Sequence, residues 1–379
     1  MKWEKIKLGD AASFINGYAF KPSDWENDGK EIIRIQNLTG SSKKANYYSG
    51  TIADKYLVKK GDILIAWSAT LGVFEWEKQD GWLNQHIFKV VFDKAEFDKS
   101  FFKYLIEHKL EEMKRSVHGA TMKHITKKRF ESLQIPLPPL SEQRRLTARL
   151  DKADAVRQKS RALVDAYAEL GRSVFLEVFG DPVRNERGWE VVALKDVATI
   201  NPRKNLDDIE PSSKVDFIGM ANVSDISKQL IEVEQKPLSA VTKGYTFIPN
   251  QSVILAKITP CFENGKVAIA DLDTVIGFGS TEFHVVIPQE RITKEFIKYV
   301  FMSESFLQKG VTQMTGSAGQ KRIPTSFLKK LQIPLPPLPL QTRFAAMVAN
   351  IEAQRRLAER QLKAAEAVFG GVLQGTFER

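Results

Sequence analysis

The sequence predicts an α+β protein made of two tandem globular units, each followed by a long helix, and three observations predict it. The first is a repeat: Leu133-Gln134-Ile135-Pro136-Leu137-Pro138-Pro139-Leu140 recurs letter for letter 198 residues later, at Leu331–Leu338. The second is the set of short apolar, β-branched runs ahead of each octapeptide. The third is the stretch rich in Ala, Arg, Gln, Glu and Leu behind each copy, with apolar residues at mixed three- and four-residue spacing. A period close to 190 residues is far beyond the roughly 20–50 of a solenoid, so the chain is a domain duplication. The expected segments are a globular domain over 1–140, a helix over 141–184, a second globular domain over 185–338 and a second helix over 339–379.

The elements follow in order. Trp3-Glu4 with Leu8 and Asp10 open the first unit as Trp189-Glu190 with Leu194 and Asp196 open the second. Ile63–Trp67 and Ile87–Phe92 read as strands, repeated by Val253–Leu255 and Phe283–Ile287. Turn chemistry at Asn27-Asp28-Gly29 and Glu263-Asn264-Gly265 separates such runs. A helix follows over about Asp98–Arg115, burying Phe101, Tyr104, Leu105, His108 and Glu112 or Met113, and over Thr293–Gln308 in the second copy. The octapeptide is extended, because its prolines fix φ and block a helix.

Ser141 is placed as the N-cap of the first long helix, with Glu142 at its positive end. That helix is expected to stop at Phe179-Gly180-Asp181-Pro182, a Gly-then-Pro signal. Its stripe runs Leu146, Leu150, Ala153, Ser160, Val164, Tyr167, Val174 and Val178, interrupted by Arg157. The second helix carries Phe344, Val348, Ile351, Ala358, Leu362, Ala365 and Phe369, with a break expected near Gly370-Gly371. A long helix with an apolar stripe needs a partner, and the cheapest partner is the other one. Leu146, Leu150, Ala153, Val164 and Tyr167 are therefore assigned to pair with Phe344, Val348, Ile351, Leu362 and Ala365 in an antiparallel coiled coil of pseudo-twofold symmetry.

The 379 residues carry 56 Lys+Arg against 46 Asp+Glu, a net charge of +10, which favours an acidic partner such as nucleic acid. Cys261 is the single cysteine, so no intramolecular disulfide scaffold is possible. The first residues lead into no apolar signal stretch, and the expected location is the cytoplasm of a prokaryotic cell, with no membrane partner. Enzymatic motifs are missing. There is no P-loop, no amino-methyltransferase D-P-P-Y-type motif and no Cys/His cluster at metal spacing, so no catalytic or metal site is expected. Gly277-Phe278-Gly279 reads as a tight turn. Glu107-His108-Lys109 has the E-x-K end of a nuclease motif without the preceding P-D, and His86 and His284 read as strand packing residues.

The functional signal is a basic, acid-free stretch ahead of each octapeptide. The first holds Thr121, Lys123, His124, Lys127, Lys128 and Arg129; the second holds Gln320, Lys321 and Arg322 behind Gly316 and Gly319. Glycines let backbone N–H groups approach phosphates, and Lys and Arg neutralise charge or reach base edges. Lys43, Lys44 and Tyr47, and Arg203 with Lys204, are further candidates.

Two globular units, each followed by Ile-Pro-Leu-Pro-Pro-Leu and a long helix, resemble the specificity subunit of type I restriction–modification enzymes over the whole chain. Ile135–Gln143, its second copy and the Gly…Lys-x-Ile and Gly…Lys-Arg-Ile loops carry the likeness; Ser141-Glu142-Gln143 becomes Pro339-Leu340-Gln341 in the second copy. The resemblance implies two target recognition domains reading a split site in double-stranded DNA, with paired helices setting the gap and docking two methyltransferase subunits. It implies that S-adenosylmethionine sits on those subunits, and ATP and Mg²⁺ on restriction subunits, with no cofactor in this chain. The competing readings are a chain that itself methylates or cuts DNA, and a coiled-coil scaffold of a DNA-processing complex with only non-specific DNA contact.

Overall fold

The computed structural model describes residues 3–41, 44–68, 70–116, 126–204, 206, 209–317 and 319–378, with the side chains of 114–116 excepted. It divides into two compact units, Met1–Ser160 with Gln361–Arg379, and Arg161–Arg360. Each unit therefore holds one globular region and half of each long helix. No helix among the described residues is long and apolar enough to cross a membrane.

In the first unit the strands are β1 (Lys5–Lys7), β2 (Ser13–Asn16), β3 (Lys30–Ile33), β4 (Tyr47–Tyr48), β5 (Leu57–Val58), β6 (Ile63–Ala66), β7 (Gly72–Glu75), β8 (Gly81–Leu83), β9 (Ile87–Val91) and β10 (Gln134–Pro136). They form sheets of order β2-β9-β6-β7 and β4-β3-β8-β5, and the pair β1-β10. Among the described strands of this unit β3 and β8 are the pair that runs parallel, with Ile32 opposite Trp82. The four residues of β6 are all buried, which is why Ile63–Ala66 is continuously apolar rather than alternating.

The second unit repeats this plan. Its strands are β11 (Glu190–Ala193), β12 (Ala198–Ile200), β13 (Lys214–Ile218), β14 (Glu234–Pro237), β15 (Thr246–Pro249), β16 (Val253–Ala256), β17 (Val267–Ile269), β18 (Ile276–Gly279), β19 (Phe283–Pro288) and β20 (Gln332–Leu335). The orders are β12-β19-β16-β17, β14-β13-β18-β15 and β11-β20, and the parallel pair is again the equivalent one, β13 with β18. The octapeptide is extended, as its prolines require, and part of it is a strand in each unit. In a two-stranded pair every strand is an edge, so a proline can sit there without breaking a ladder.

The long helices run Leu140–Phe179 and Leu338–Phe377, 40 residues each, or about 60 Å at 1.5 Å per residue. In the first unit Leu146 and Leu150 share a core cluster with Phe369 and Phe377. In the second, Phe175 and Phe179 share one with Phe344 and Val348. Within each unit, then, an early stretch of one helix lies against a late stretch of the other. Val164 and Ala365 are also buried, while Ala153, Tyr167, Ile351 and Leu362 are half-buried. The stripe was mis-weighted at the end of the first helix: Phe175 and Phe179 are buried there and Val174 and Val178 are only half-buried. Arg157 does not interrupt the packing, because its guanidinium lies over the Phe369 ring at 4.3 Å.

Three expectations are corrected. Ser141 is not the N-cap: the helix begins at Leu140, and the Pro139 carbonyl accepts from the N–H groups of Glu142 and Gln143. The second helix begins at the equivalent Leu338, and Pro339 is tolerated because first-turn N–H groups have no helical acceptor. No break occurs at Gly370-Gly371; the helix continues to Phe377 because Phe369, Val372, Leu373 and Phe377 all pack into the first unit's core. That burial outweighs about 1 kcal/mol of lost propensity per glycine. The helix expected over Thr293–Gln308 is two, Lys294–Met302 and Glu304–Val311. Ser303 is extended between them, and its hydroxyl accepts from Phe306 N–H to start the second.

Candidate nucleic-acid interface

The best-defined candidate surface is in the second unit, where the fold joins two segments that lie far apart in sequence. Thr315 and Arg322 close a hairpin: Thr315 N–H donates to the Arg322 carbonyl at 3.0 Å and Arg322 N–H donates back at 2.8 Å. Gly316 makes the bend with φ +126°, and a Cβ there would meet the Gln320 carbonyl oxygen at 2.8 Å. The tip residues Ser317, Gly319, Gln320 and Lys321 are exposed. Behind the hairpin, Ile323 N–H donates to the Lys257 carbonyl, and Thr259 N–H to the Lys321 carbonyl.

Asn201 and His284 connect this hairpin to the segment carrying Arg203 and Lys204. The Asn201 side-chain amide donates to Thr325 Oγ1 at 3.1 Å and faces His284 Nδ1 at 3.1 Å, while His284 Nε2 faces the Ile323 carbonyl at 2.8 Å. These partners set the tautomer: Nε2 carries the proton and Nδ1 accepts. Burial pushes the imidazole pKa below its ordinary value, so His284 works as a neutral brace and not as a proton donor to a ligand. Asn201 also accepts from Val285 N–H, and its φ of +51° is one that asparagine tolerates better than most residues. Arg203 is exposed, whereas the Lys204 amine bonds the Thr242 carbonyl and lies 5.5 Å over the Phe278 ring.

Arg322 is occupied by the protein itself. Its Nε and Nη2 donate to the Glu282 carboxylate at 2.9–3.1 Å and its Nη1 to the Gln320 carbonyl at 3.0 Å. It therefore positions the hairpin and leaves Lys321 as the exposed cation at the tip. The Arg322 hydrogen bonds hold the Glu282 carboxyl below its usual range. A depressed carboxyl pKa stabilises above the unfolded value and is lost as pH falls through the folded one. Acidification should thus lower amide protection at Thr315 and Arg322 in the native chain. Glu282→Gln should show the lower protection already at neutral pH, and no change in hydrogen exchange there would refute the brace.

In the first unit, Thr121, Lys123, His124 and Lys43 lie outside the described residues. Lys127, Lys128 and Arg129 are exposed on the short helix Lys127–Glu131, capped by Thr126, whose hydroxyl accepts from Arg129 N–H. Lys127 pairs with Glu131 at 3.5 Å, an acid just beyond the acid-free stretch. Lys44 is exposed and its carbonyl accepts from the Asn37 amide, while Tyr47 is half-buried in β4 opposite Glu31. His86 lies in the turn before β9, with φ +75° and its ring 5.2 Å from Trp67; the residue aligned with it through the strands is Glu282, not His284.

Sequence reasoning missed Asn201, Glu282 and a pair of glutamines. Gln143, almost wholly buried, accepts from Asp98 N–H at 2.9 Å and donates to the Glu96 and Pro138 carbonyls. Gln341 does the same with Thr293 N–H and the Arg291 and Pro336 carbonyls. Each fastens the first turn of a long helix to the cap of a globular helix, so both globular regions are held to their helices by one device. The signal was available, because the repeat resumes three residues past the octapeptide at this Gln.

Comparison with known proteins agrees with this plan. The sequence model described as "Type I restriction modification DNA specificity domain" matches residues 1–163 and 186–367. The specificity subunit of type I restriction enzyme EcoAI from Escherichia coli is 44% identical over 158 residues, 41% of this chain and 26% of that protein. The corresponding EcoBI subunit, also from Escherichia coli, is 23% identical over 403 aligned positions, 98% of this chain and 84% of that one. The chain spans only about a quarter to a third of the first curated relatives it matches, 26% of EcoAI and 29% of EcoEI. The crystal structure of a type I restriction–modification S subunit from M. genitalium shares the fold, with a TM-score of 0.54 at 14% identity, covering 100% of this chain and 96% of that one.

Proposed function

The chain belongs to the type I restriction–modification DNA specificity family, and from that premise we propose that it is the DNA-recognition subunit of such a system, non-catalytic itself. Each unit reads one half of a split target in double-stranded DNA. The observation that carries this is one frame bearing two different surfaces: ten described strands in the same order in each unit and the same glutamine fastening, yet Arg203 and Lys204 where the first unit has Gly17 and Tyr18.

In this reading the long helices set the gap between the half-sites and dock two methyltransferase subunits, and restriction subunits join that assembly. S-adenosylmethionine, ATP and Mg²⁺ belong to those partners. Half-sites about one helical turn apart, roughly 34 Å, present their major grooves on the same face of the duplex. In the second unit Lys321 and Arg203 are the cations placed to meet DNA, and Arg322, Asn201 and His284 hold them in place.

Co-expression with its methyltransferase partner in a methylation-free host, followed by genome-wide mapping of modified bases, tests the proposal. The expected result is two short motifs separated by a fixed unspecified gap. Lys321→Ala with Arg203→Ala should reduce methylation of those sites by about tenfold or more. It should also flatten the salt dependence of binding by about two units of log–log slope if both meet phosphates. A contiguous motif would overturn the bipartite reading, and unchanged methylation and salt slope would overturn these two assignments.

A further inference from the structure

The first unit brings together three metal-ligating side chains that no part of DNA recognition uses. His108 and Glu112 lie one turn apart on the helix Lys99–Ser116, and Glu378 follows the end of the second long helix. His108 Nε2 is 3.6 Å from Glu112 Oε1 and 3.7 Å from Glu378 Oε1. One ligand atom from each of the three residues lies within 4.8 Å of the others, the group of this kind found among the described residues.

We infer that His108, Glu112 and Glu378 form a binding site for one Zn²⁺-like cation that staples the end of the second long helix to the helix Lys99–Ser116. Tetrahedral Zn²⁺ with ligands at about 2.0–2.2 Å spaces them roughly 3.3–3.6 Å apart, so both imidazole–carboxylate distances need to close by only a few tenths of an ångström. A histidine and a carboxylate at i and i+4 share one helix face, which is the spacing chelation needs. His108 is 7% exposed, so its ring is held in place by the surrounding core. The Phe377 ring stacks on it at 5.6 Å. Lys109 Nζ sits 2.7 Å from Glu112 Oε2, which holds that carboxylate by one oxygen and leaves the other facing His108. Two carboxylates and one imidazole suit a borderline first-row cation better than Mg²⁺, which prefers an all-oxygen shell.

The test uses the full chain, stripped with a chelator and titrated with zinc chloride by calorimetry and by thermal unfolding near neutral pH. One Zn²⁺ per chain is expected at this site, with a melting temperature that rises with the logarithm of free zinc. His108→Gln should weaken that binding about a hundredfold. Glu378→Gln, at an exposed end position, should weaken it about tenfold, each variant's binding being read against its own metal-free melting temperature. Co²⁺ in place of Zn²⁺ should give tetrahedral d–d absorption that both variants lose. Zinc binding of the same strength in the native chain and both variants would place the metal elsewhere. No stoichiometric binding, or a shift given equally by Mg²⁺, would reduce the cluster to ordinary ion pairs; either result overturns the site.

Discussion

Replacing Phe344 with alanine is expected to destabilise the second unit by about 3–5 kcal/mol, the range for deleting a fully buried aromatic side chain. Phe344 is wholly buried. Its ring meets Phe175 at 5.6 Å, Phe179 at 5.1 Å and Tyr299 at 5.1 Å, the last nearly perpendicular at 88°. It thus joins both long helices to the helix Lys294–Met302, and truncation opens a cavity that three rigid rings cannot fill. The equivalent position in the first unit is Leu146, so the loss is specific to one copy. Hydrogen exchange on the intact chain should show loss of protection in Lys294–Met302 while Lys99–Ser116 keeps its own. Equal loss in both, or a change under 1 kcal/mol, would show that this cluster is not what stabilises the unit.

Gln341→Leu should cost about 3 kcal/mol, although it keeps the side chain's bulk. It strips hydrogen-bond partners from Thr293 N–H and from the Arg291 and Pro336 carbonyls. Buried groups left unpaired each cost about 1–3 kcal/mol, less than additively when they share one site. Gln143→Leu should act alike in the first unit, on Asp98 N–H and the Glu96 and Pro138 carbonyls. Urea unfolding of the two single variants and the double variant checks this. If either single variant keeps its native midpoint, the glutamines only fill space.

The repeat made the duplication, the strand–helix order and the two long helices legible, and the all-buried runs of β6 and β16 stood out because a strand covered on both faces must be apolar throughout. The short strands β3, β4, β5, β8, β13 and β14 were not seen. They are two to five residues long, several carry charge, and they are defined by partners far away in the chain. The break assigned to Gly370-Gly371 failed because local propensity is worth about 1 kcal/mol per residue and tertiary burial is worth more; Ser141 is not the cap because the helical hydrogen bonds already start at the Pro139 carbonyl.

At the candidate interface, the sequence marked Arg203, Lys204, Lys321 and Arg322 as cations but could not say which of them are free. Lys204 and Arg322 carry the same formal charge as their neighbours, and one is bound to a carbonyl and the other to a carboxylate. Glu378 shows the converse, since only helix packing brings it beside His108 and Glu112, which share one helix face. Composition and periodicity by themselves determined that there are two copies, where each copy turns from sheet to helix, and that the surplus charge is basic. The tertiary structure decided which polar side chains are spent holding the frame, because a hydrogen bond or ion pair is settled by distances of about 3 Å between segments whose separation in sequence carries no information about them.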